Sequence, residues 1–147
     1  MRLSNLADYA VVTMSAAARR CGMASIGDAG TARRARFTAS DLAAETGLPV
    51  PTVQKLVSRL SAAGLLRSVR GAGGGLQLAR PAAAITLADI VEAVEGPIAL
   101  AACSDNEDCG AHQDCRVRPH WPVVNAALRG ALAGIPLTRL AREVEPA

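Results

Sequence analysis

Hydrophobic positions with helical spacing begin close to the start of the chain. They predict a helix over residues 4–20 whose inward face is formed by Leu6, Tyr9, Ala10, Thr13 and Met14. Asn5 is the expected N-cap of this helix, with Asp8 three residues later in the arrangement of a capping box. Residues 21–37 contain three glycines and an arginine cluster without clear periodicity, so a surface loop is expected there.

Two short helices are predicted next. The first covers residues 40–46 and stops at Gly47, and Pro51 opens the second at a position where proline is favoured. The second helix ends at Gly64, and its inward face is formed by Val53, Leu56, Val57 and Leu60. Two short helices joined in this way make a helix-turn-helix.

The opposite face of the second helix is polar and basic. Its side chains can hydrogen-bond base edges or phosphates, and they are Thr52, Gln54, Lys55, Ser58 and Arg59. An amphipathic helical pair with a solvated face is the alternative interpretation of these two helices taken alone.

A basic, glycine-rich hairpin is predicted directly after this pair. Residues 65–69 and 76–79 have the character of two short strands, and Arg70–Gly75 forms the turn. A helix-turn-helix followed by such a hairpin is the winged-helix arrangement, in which Arg67 and Arg70 would lie against the DNA backbone or in the minor groove. A nucleotide-binding loop is excluded by spacing, because the glycine run lacks the third glycine of the dinucleotide fingerprint and no Gly-Lys-Ser/Thr follows it.

The remaining chain predicts helices on both sides of a cysteine-rich loop. One helix begins with a capping box at Thr86 and closes at Gly96, a long one runs from about residue 118 to 133, and a short one covers residues 138–143. The stripe of the long helix is formed by Trp121, Val124, Leu128 and Leu132. We expect this helix to pair two subunits into a homodimer.

The predicted fold is therefore mainly α with a small β-hairpin wing. Residues 1–81 form the winged helix-turn-helix region, and residues 82–147 carry the cysteine loop and the dimerisation helix within one integrated domain. Composition agrees, since half of the 147 residues are hydrophobic and only three are aromatic. A core of Ala, Leu and Val favours packed helices over a β-sandwich.

Charge is distributed unevenly. Residues 1–80 hold eleven basic and four acidic residues, a net charge of +7, whereas residues 81–147 hold five and nine, a net charge of −4. The basic half indicates a polyanionic partner, and double-stranded DNA is the one we expect. No stretch is apolar enough to cross a bilayer and the start of the chain lacks the features of a secretory signal, so we expect a soluble cytoplasmic protein.

Three cysteines, Cys103, Cys109 and Cys115, lie six residues apart in the loop of residues 101–117. Disulfides are disfavoured in a reducing compartment, and three exposed free thiols would be reactive. Structural zinc commonly uses more closely spaced cysteine pairs, so this wider spacing favours an iron–sulfur cluster, either 4Fe-4S or 2Fe-2S. The distant Cys21 is expected to be a small residue near the core.

Two other functions stay open on these residues. One is a winged-helix regulator whose cysteines hold structural zinc, and the other is an iron–sulfur carrier or electron-transfer protein in which the helix-turn-helix is only scaffold. An enzyme with a small-molecule substrate is not expected. Both histidines, His112 and His120, lie in or beside the cysteine loop, and no nucleophile–base pair or set of paired carboxylates is visible.

The chain resembles the Rrf-two family of bacterial transcription regulators, of the IscR and NsrR type. The resemblance lies in MRLSNLADYA, in GLPVPTVQKLVSRLSAAGLLRSVRGAGGG, in ARPAAAITLADIVEAVEGP and in the three-cysteine loop, in the order of the family. EGPIALAAC and CRVRPHW most resemble regulators of the Suf iron–sulfur assembly operon. The resemblance implies a homodimeric winged helix that represses iron–sulfur assembly genes and senses iron, redox state or nitric oxide through a bound cluster.

By this resemblance the three loop cysteines are the thiolate ligands of the cluster. The IscR branch takes its fourth ligand from a histidine three residues past the last cysteine, where this chain has Arg118, so His112 or His120 would have to substitute. The NsrR branch uses an aspartate on the first helix of the partner subunit. This chain has Asp8 at that position, and it is the fourth ligand that we favour.

The resemblance also implies contacts with DNA. It places Arg70 near the minor groove and two hydroxyl side chains, Thr38 and Ser40, at phosphates near a helix N-terminus. The residues that would face the major groove are Thr52, Gln54, Lys55 and Arg59.

Overall fold

The computed structural model describes residues 2–24, 36–101 and 115–142. In chain order its elements are α1 (Asn5–Ala24), α2 (Ala39–Thr46), α3 (Val50–Ala62), β1 (Leu66–Val69), β2 (Gly75–Leu78), α4 (Leu87–Glu95), α5 (Trp121–Ala133) and α6 (Leu137–Leu140). Single 3-10 turns precede α4 at Ala82–Ala84 and α5 at Arg118–His120. The expectation of a mainly helical chain with one hairpin is confirmed.

The first helix has a different cap and a later end than the sequence predicts. Ser4 rather than Asn5 precedes it, since the Ser4 Oγ accepts a hydrogen bond from the Ala7 N–H at 3.1 Å. Asp8 is therefore not part of a capping box but lies one turn into the helix, where it is exposed. α1 continues to Ala24 because a single glycine weakens a helix without ending it. Residues 25–35 of the expected loop lie outside the described residues.

The helix-turn-helix is built from α2 and α3. Thr38 caps α2 in a reciprocal capping box with Asp41, and Gly47 ends the helix with a φ of +73°, which favours glycine. α3 has Pro51 in its first turn and buries Val53, Leu56 and Leu60. Val57, the fourth residue of the predicted inward face, is half-buried against the same core.

The wing has a third strand-like segment that the sequence does not reveal. β1 and β2 pair antiparallel from Leu66 opposite Leu78 to Val69 opposite Gly75. The segment before α2 adds to this hairpin, because the Phe37 N–H donates to the Leu76 carbonyl at 3.0 Å and the Leu76 N–H donates back at 2.7 Å. The wing is thus held to the chain that enters the helix-turn-helix.

The core is centred on α1, which packs against α2, α3, α4 and α6. Five alanines of α1 are buried, and their small side chains let the surrounding helices approach closely. The larger fully buried side chains include Met14, Phe37, Leu42, Leu56, Leu60, Ile85, Ile90 and Leu137. In the part of the chain that the structure describes, no helix is long and apolar enough to span a membrane.

The C-terminal helices deviate slightly from prediction. The expected helix over residues 118–133 is a 3-10 turn followed by α5, and α6 covers Leu137–Leu140 rather than residues 138–143, of which residue 143 lies outside the described residues. Leu137 anchors α6 in the core. α4 has the predicted capping box, in which Thr86 and Asp89 exchange hydrogen bonds of 2.9 and 3.2 Å.

Candidate nucleic-acid interface and cysteine loop

The exposed face of α3 is polar. Gln54, Lys55 and Ser58 are exposed and make no hydrogen bond or ion pair with another described residue, and Thr52 beside them is half-buried. Because Val53, Leu56 and Leu60 fix the opposite side in the core, these side chains point outward from a rigid helix. These side chains supply the hydrogen-bond donors and acceptors that contacts with base edges and phosphates require.

The two hydroxyl residues near the start of α2 differ in their surroundings. The Thr38 Oγ accepts a hydrogen bond from the Asp41 N–H at 3.1 Å, and the Thr38 N–H donates to Asp41 Oδ2 at 2.8 Å. Ser40 is exposed in the first turn, with no partner among the described residues. Ser40 is therefore the more available of the two for a phosphate.

The wing carries the two predicted arginines, and a third arginine contacts its turn. Arg67 is exposed and reaches across the hairpin to Gln77 Oε1 at 2.9 and 3.2 Å, while Arg70 is exposed at the turn. Arg36 donates a hydrogen bond to the carbonyl of Gly73 in the turn. The sequence interpretation leaves Arg36 in the arginine cluster of the expected loop, because its contact with Gly73 spans 37 residues and has no local signal.

Glycine is required in the wing turn for steric reasons. A Cβ on Gly74 would lie 2.6 Å from the Val69 carbonyl oxygen and 2.8 Å from that of Gly71. Both are backbone atoms that cannot move aside without opening the turn. The tight turn keeps Arg70 and the Arg36 contact at the tip of the hairpin.

Arg59 differs from the other polar residues of α3. Its Nη1 donates to the backbone carbonyl of Val94, in the last turn of α4, at 2.8 Å. Arg59, one of the four residues that the resemblance assigns to the major groove, thus has a hydrogen-bond partner within the fold.

The cysteine loop is described only at its borders. Cys103, Cys109 and His112 lie outside the described residues, whereas Cys115 is half-buried and its carbonyl accepts from the Arg118 N–H at 3.3 Å. His120 and Asp8, the other candidates for the fourth ligand, are both exposed. Within residues 2–24, 36–101 and 115–142, no three His, Cys, Asp or Glu side chains are grouped so as to hold a metal ion. Cys21 is half-buried against the core, as expected.

The chain that leads into the loop is attached to α4 and α5. Glu92 on α4 binds Arg129 on α5 through two hydrogen bonds of 3.0 and 3.2 Å, which raise the pKa of Arg129. Glu92 Oε1 also accepts from the Ile98 N–H at 3.5 Å, and the Leu100 N–H donates to Asn125 Oδ1 at 3.0 Å. Residues 98–100 are therefore hydrogen-bonded to both helices.

Among the described residues, α5 leaves an apolar face uncovered. Trp121, Asn125, Leu128 and Leu132 are half-buried, whereas Val123 is 72% exposed and Val124 is 41% exposed. Ala127, Gly130 and Ala131 extend this exposed face along the helix. The predicted stripe is therefore divided, because Val124 lies on the exposed side and Asn125 takes the inward position.

Comparison with known proteins matches this arrangement to transcription regulators. The chain matches the family Rrf2, described as an iron-dependent transcriptional regulator, over residues 3–143. The HTH-type transcriptional regulator IscR of Escherichia coli O1:K1 / APEC is 29% identical over 145 residues, which are 99% of this chain and 83% of that protein. IscR of Photorhabdus laumondii is 30% identical over 106 residues, which are 72% of this chain and 65% of that protein, slightly less than two thirds.

Solved structures show the same fold. IscR of T. potens has a TM-score of 0.69 at 25% identity and covers 100% of this chain and 93% of its own. CymR, the global cysteine regulator of B. subtilis, has a TM-score of 0.69 at 26% identity and covers 96% of both chains. These relatives are regulators by name, in agreement with the expectation that the chain is not an enzyme. The family match spans nearly the full length, and the chain therefore belongs to the Rrf2 (Rrf-two) family of iron-dependent transcriptional regulators.

Proposed function

We propose that this protein is a homodimeric, DNA-binding repressor of iron–sulfur assembly genes that senses through an iron–sulfur cluster. The observation that carries the DNA-binding part is the exposed polar face of α3, which is followed without interruption by a wing bearing Arg67 and Arg70. The relatives named IscR support regulation of transcription as the activity.

DNA contacts are divided between three elements. Thr52, Gln54 and Lys55 on α3 enter the major groove, and the side-chain amide of Gln54 suits direct reading of a base edge. Arg70 and Arg67 on the wing approach the minor groove and the backbone, and Ser40 and Thr38 contact phosphates. Arg59 is not assigned to a groove, because its guanidinium donates to the Val94 carbonyl within the fold.

Dimerisation occurs through α5. Its exposed face, centred on Val123 and Ala127, has no charged residue and lies on the opposite side from α4. Two such faces packed together place both α3 helices toward one side of a palindromic site, with half-sites about 34–36 Å apart.

The cluster is held by Cys103, Cys109 and Cys115, with Asp8 of the partner subunit as the fourth ligand. The residues at the borders of the loop fit this role. Cys115 is half-buried beside the start of α5, and the exposed Asp8 carboxylate binds no described residue. Carboxylate is a weak ligand for such a group, which makes the site labile. When bound, the cluster supplies a group that responds to iron supply and oxidants, and the protein binds DNA in that state.

The DNA-binding proposal is tested with duplexes that the wild type selects from a randomised pool, with affinity measured over a range of salt concentrations. Lys55→Met should weaken binding to all duplexes and lower the slope of log affinity against log salt by about one. Gln54→Ala should relax sequence preference and cost about 1–3 kcal/mol on the selected duplex. Arg139→Met, which removes an exposed charge on α6, is the matched control and should leave the slope unchanged.

Two results would contradict these assignments. Wild-type protein that shows no salt-dependent binding to any duplex would overturn the regulator and favour a carrier protein. Equal losses for Gln54→Ala on selected and random duplexes would remove Gln54 from base reading.

The cluster is tested by an anaerobic visible absorption spectrum with iron and sulfide analysis. Wild-type protein should be brown and contain acid-labile sulfide, and Cys109→Ala should lose both. Cys21→Ala, which removes a thiol outside the loop, should keep them. A colourless wild-type protein that contains zinc would contradict the cluster sensor and indicate a structural metal site instead.

A further inference from the structure

We infer that Arg59 is a positioning residue, which holds α3 against the end of α4 and so couples DNA binding to the cysteine loop. The inference rests on the proposed function, since it concerns regulation of the same DNA-binding surface. It assigns Arg59 a role distinct from that of Lys55, its neighbour one turn earlier on α3.

The contact itself is well suited to hold two helices together. Arg59 Nη1 lies 2.8 Å from the carbonyl oxygen of Val94, which is one of the last carbonyls of α4 and has no helical partner. A guanidinium at this end of a helix also interacts favourably with the negative end of the helix dipole. α4 ends at the next residue, Glu95, and the C-cap Gly96, with a φ of +85°, turns the chain away toward the loop.

The same turn of α4 holds the chain that leads to the first loop cysteine. Glu92 accepts from the Ile98 N–H and binds Arg129 of α5, while Glu95 accepts a hydrogen bond from the Ser4 hydroxyl at the start of α1. One short segment, residues 92–98, therefore contacts α3 (the recognition helix), α1, α5 and the entry to the cysteine loop.

This arrangement gives a direct route for coupling. A cluster bound by Cys103 would constrain the chain beyond Ala101, and the hydrogen bonds of Ile98 and Leu100 would transmit that constraint to α4 and α5. Because α4 has only nine residues, its last turn cannot shift without the rest of the helix. The Arg59 contact passes the shift to α3, between Leu56 and Leu60, and changes how α3 meets DNA.

The test compares Arg59→Met and Arg59→Lys in otherwise wild-type protein and in the Cys109→Ala background. Affinity for the selected duplex is measured anaerobically over a range of salt, and circular dichroism verifies that each variant is folded. Methionine keeps an unbranched side chain but has no hydrogen-bond donor. Lysine keeps a charged donor group, and the Val94 carbonyl accepts only one hydrogen bond from Arg59. Arg139→Met again controls for the loss of a charge.

Arg59→Met should lower the affinity of cluster-loaded protein for the selected duplex by roughly tenfold without changing the salt slope. It should also bring the affinity ratio between the loaded protein and its Cys109→Ala counterpart close to one, and Arg59→Lys should restore most of that ratio. A salt slope that falls by about one would instead make Arg59 a phosphate contact. Equal effects in both backgrounds, or no effect, would overturn the coupling. These results differ from failure of the proposed function, in which wild-type protein binds no DNA.

Discussion

At the scale of single residues, the N-terminus of α2 combines structural and electrostatic roles. The Asp41 carboxylate accepts from the Thr38 N–H, and Thr38 caps the helix in return. The backbone N–H and the side chain of Thr38 lower the pKa of Asp41, burial opposes this, and the charge of Arg20 lowers the pKa further. A lowered pKa means that the ionised carboxylate stabilises the folded protein.

We expect Asp41→Asn to lower the stability of the folded protein by about 0.3–1 kcal/mol near neutral pH, the range for an exposed charge in the first turn of a helix. Asparagine keeps an acceptor for the Thr38 N–H but has no charge. Since the folded pKa is below the unfolded value, the difference between wild type and variant is fully present above about pH 4 and disappears as pH falls through the folded pKa. Urea denaturation of both proteins over a series of pH values measures it.

A conservative variant controls this measurement. Thr38→Ser retains the capping hydroxyl and should change stability little at every pH. If Asp41→Asn were less stable than wild type by the same amount at acidic and neutral pH, the charge of Asp41 would have no part in the cap.

At the scale of elements, the sequence predicts well those that depend on local spacing. Val53, Leu56 and Leu60 determine α3, and the Thr86 and Asp89 pair determines the start of α4. The N-cap of α1 is an exception, because Ser4 and Asn5 are both good N-caps and local sequence does not choose between them.

Elements that depend on distant partners escape prediction. Phe37 pairs with Leu76 through a single bridge, which leaves no periodic pattern around residue 37. Gln77 is buried between Leu76 and Leu78, so β2 lacks the alternation of a half-exposed strand. The candidate site likewise contains features that local sequence predicts and features that it does not. Local sequence predicts that Gln54 and Lys55 are exposed, but the Arg59 contact with Val94 spans 35 residues and needs the folded chain.

At the scale of the whole molecule, the core leaves α5 only partly covered. α1 gathers the other helices around its buried alanines, whereas α5 packs mainly against α4 and buries none of its side chains completely. An exposed apolar face along a helix of 13 residues, about 20 Å long, is a surface that a second subunit can cover. A regulator that reads a palindromic site also needs two recognition helices at a fixed spacing.

We therefore expect Val123→Glu to dissociate the dimer. The variant would place two unpaired carboxylates in an apolar interface, at a cost of about 3–5 kcal/mol, which raises the dimer dissociation constant by more than about 100-fold. Sedimentation equilibrium measures this dissociation constant. Affinity for the selected duplex should fall as the dimer dissociates, because each monomer binds only one half-site. Ala83→Glu adds the same charge at an exposed position in the 3-10 turn before α4 and should leave both unchanged. A Val123→Glu protein that stays dimeric would show that the subunits pair through a surface other than α5.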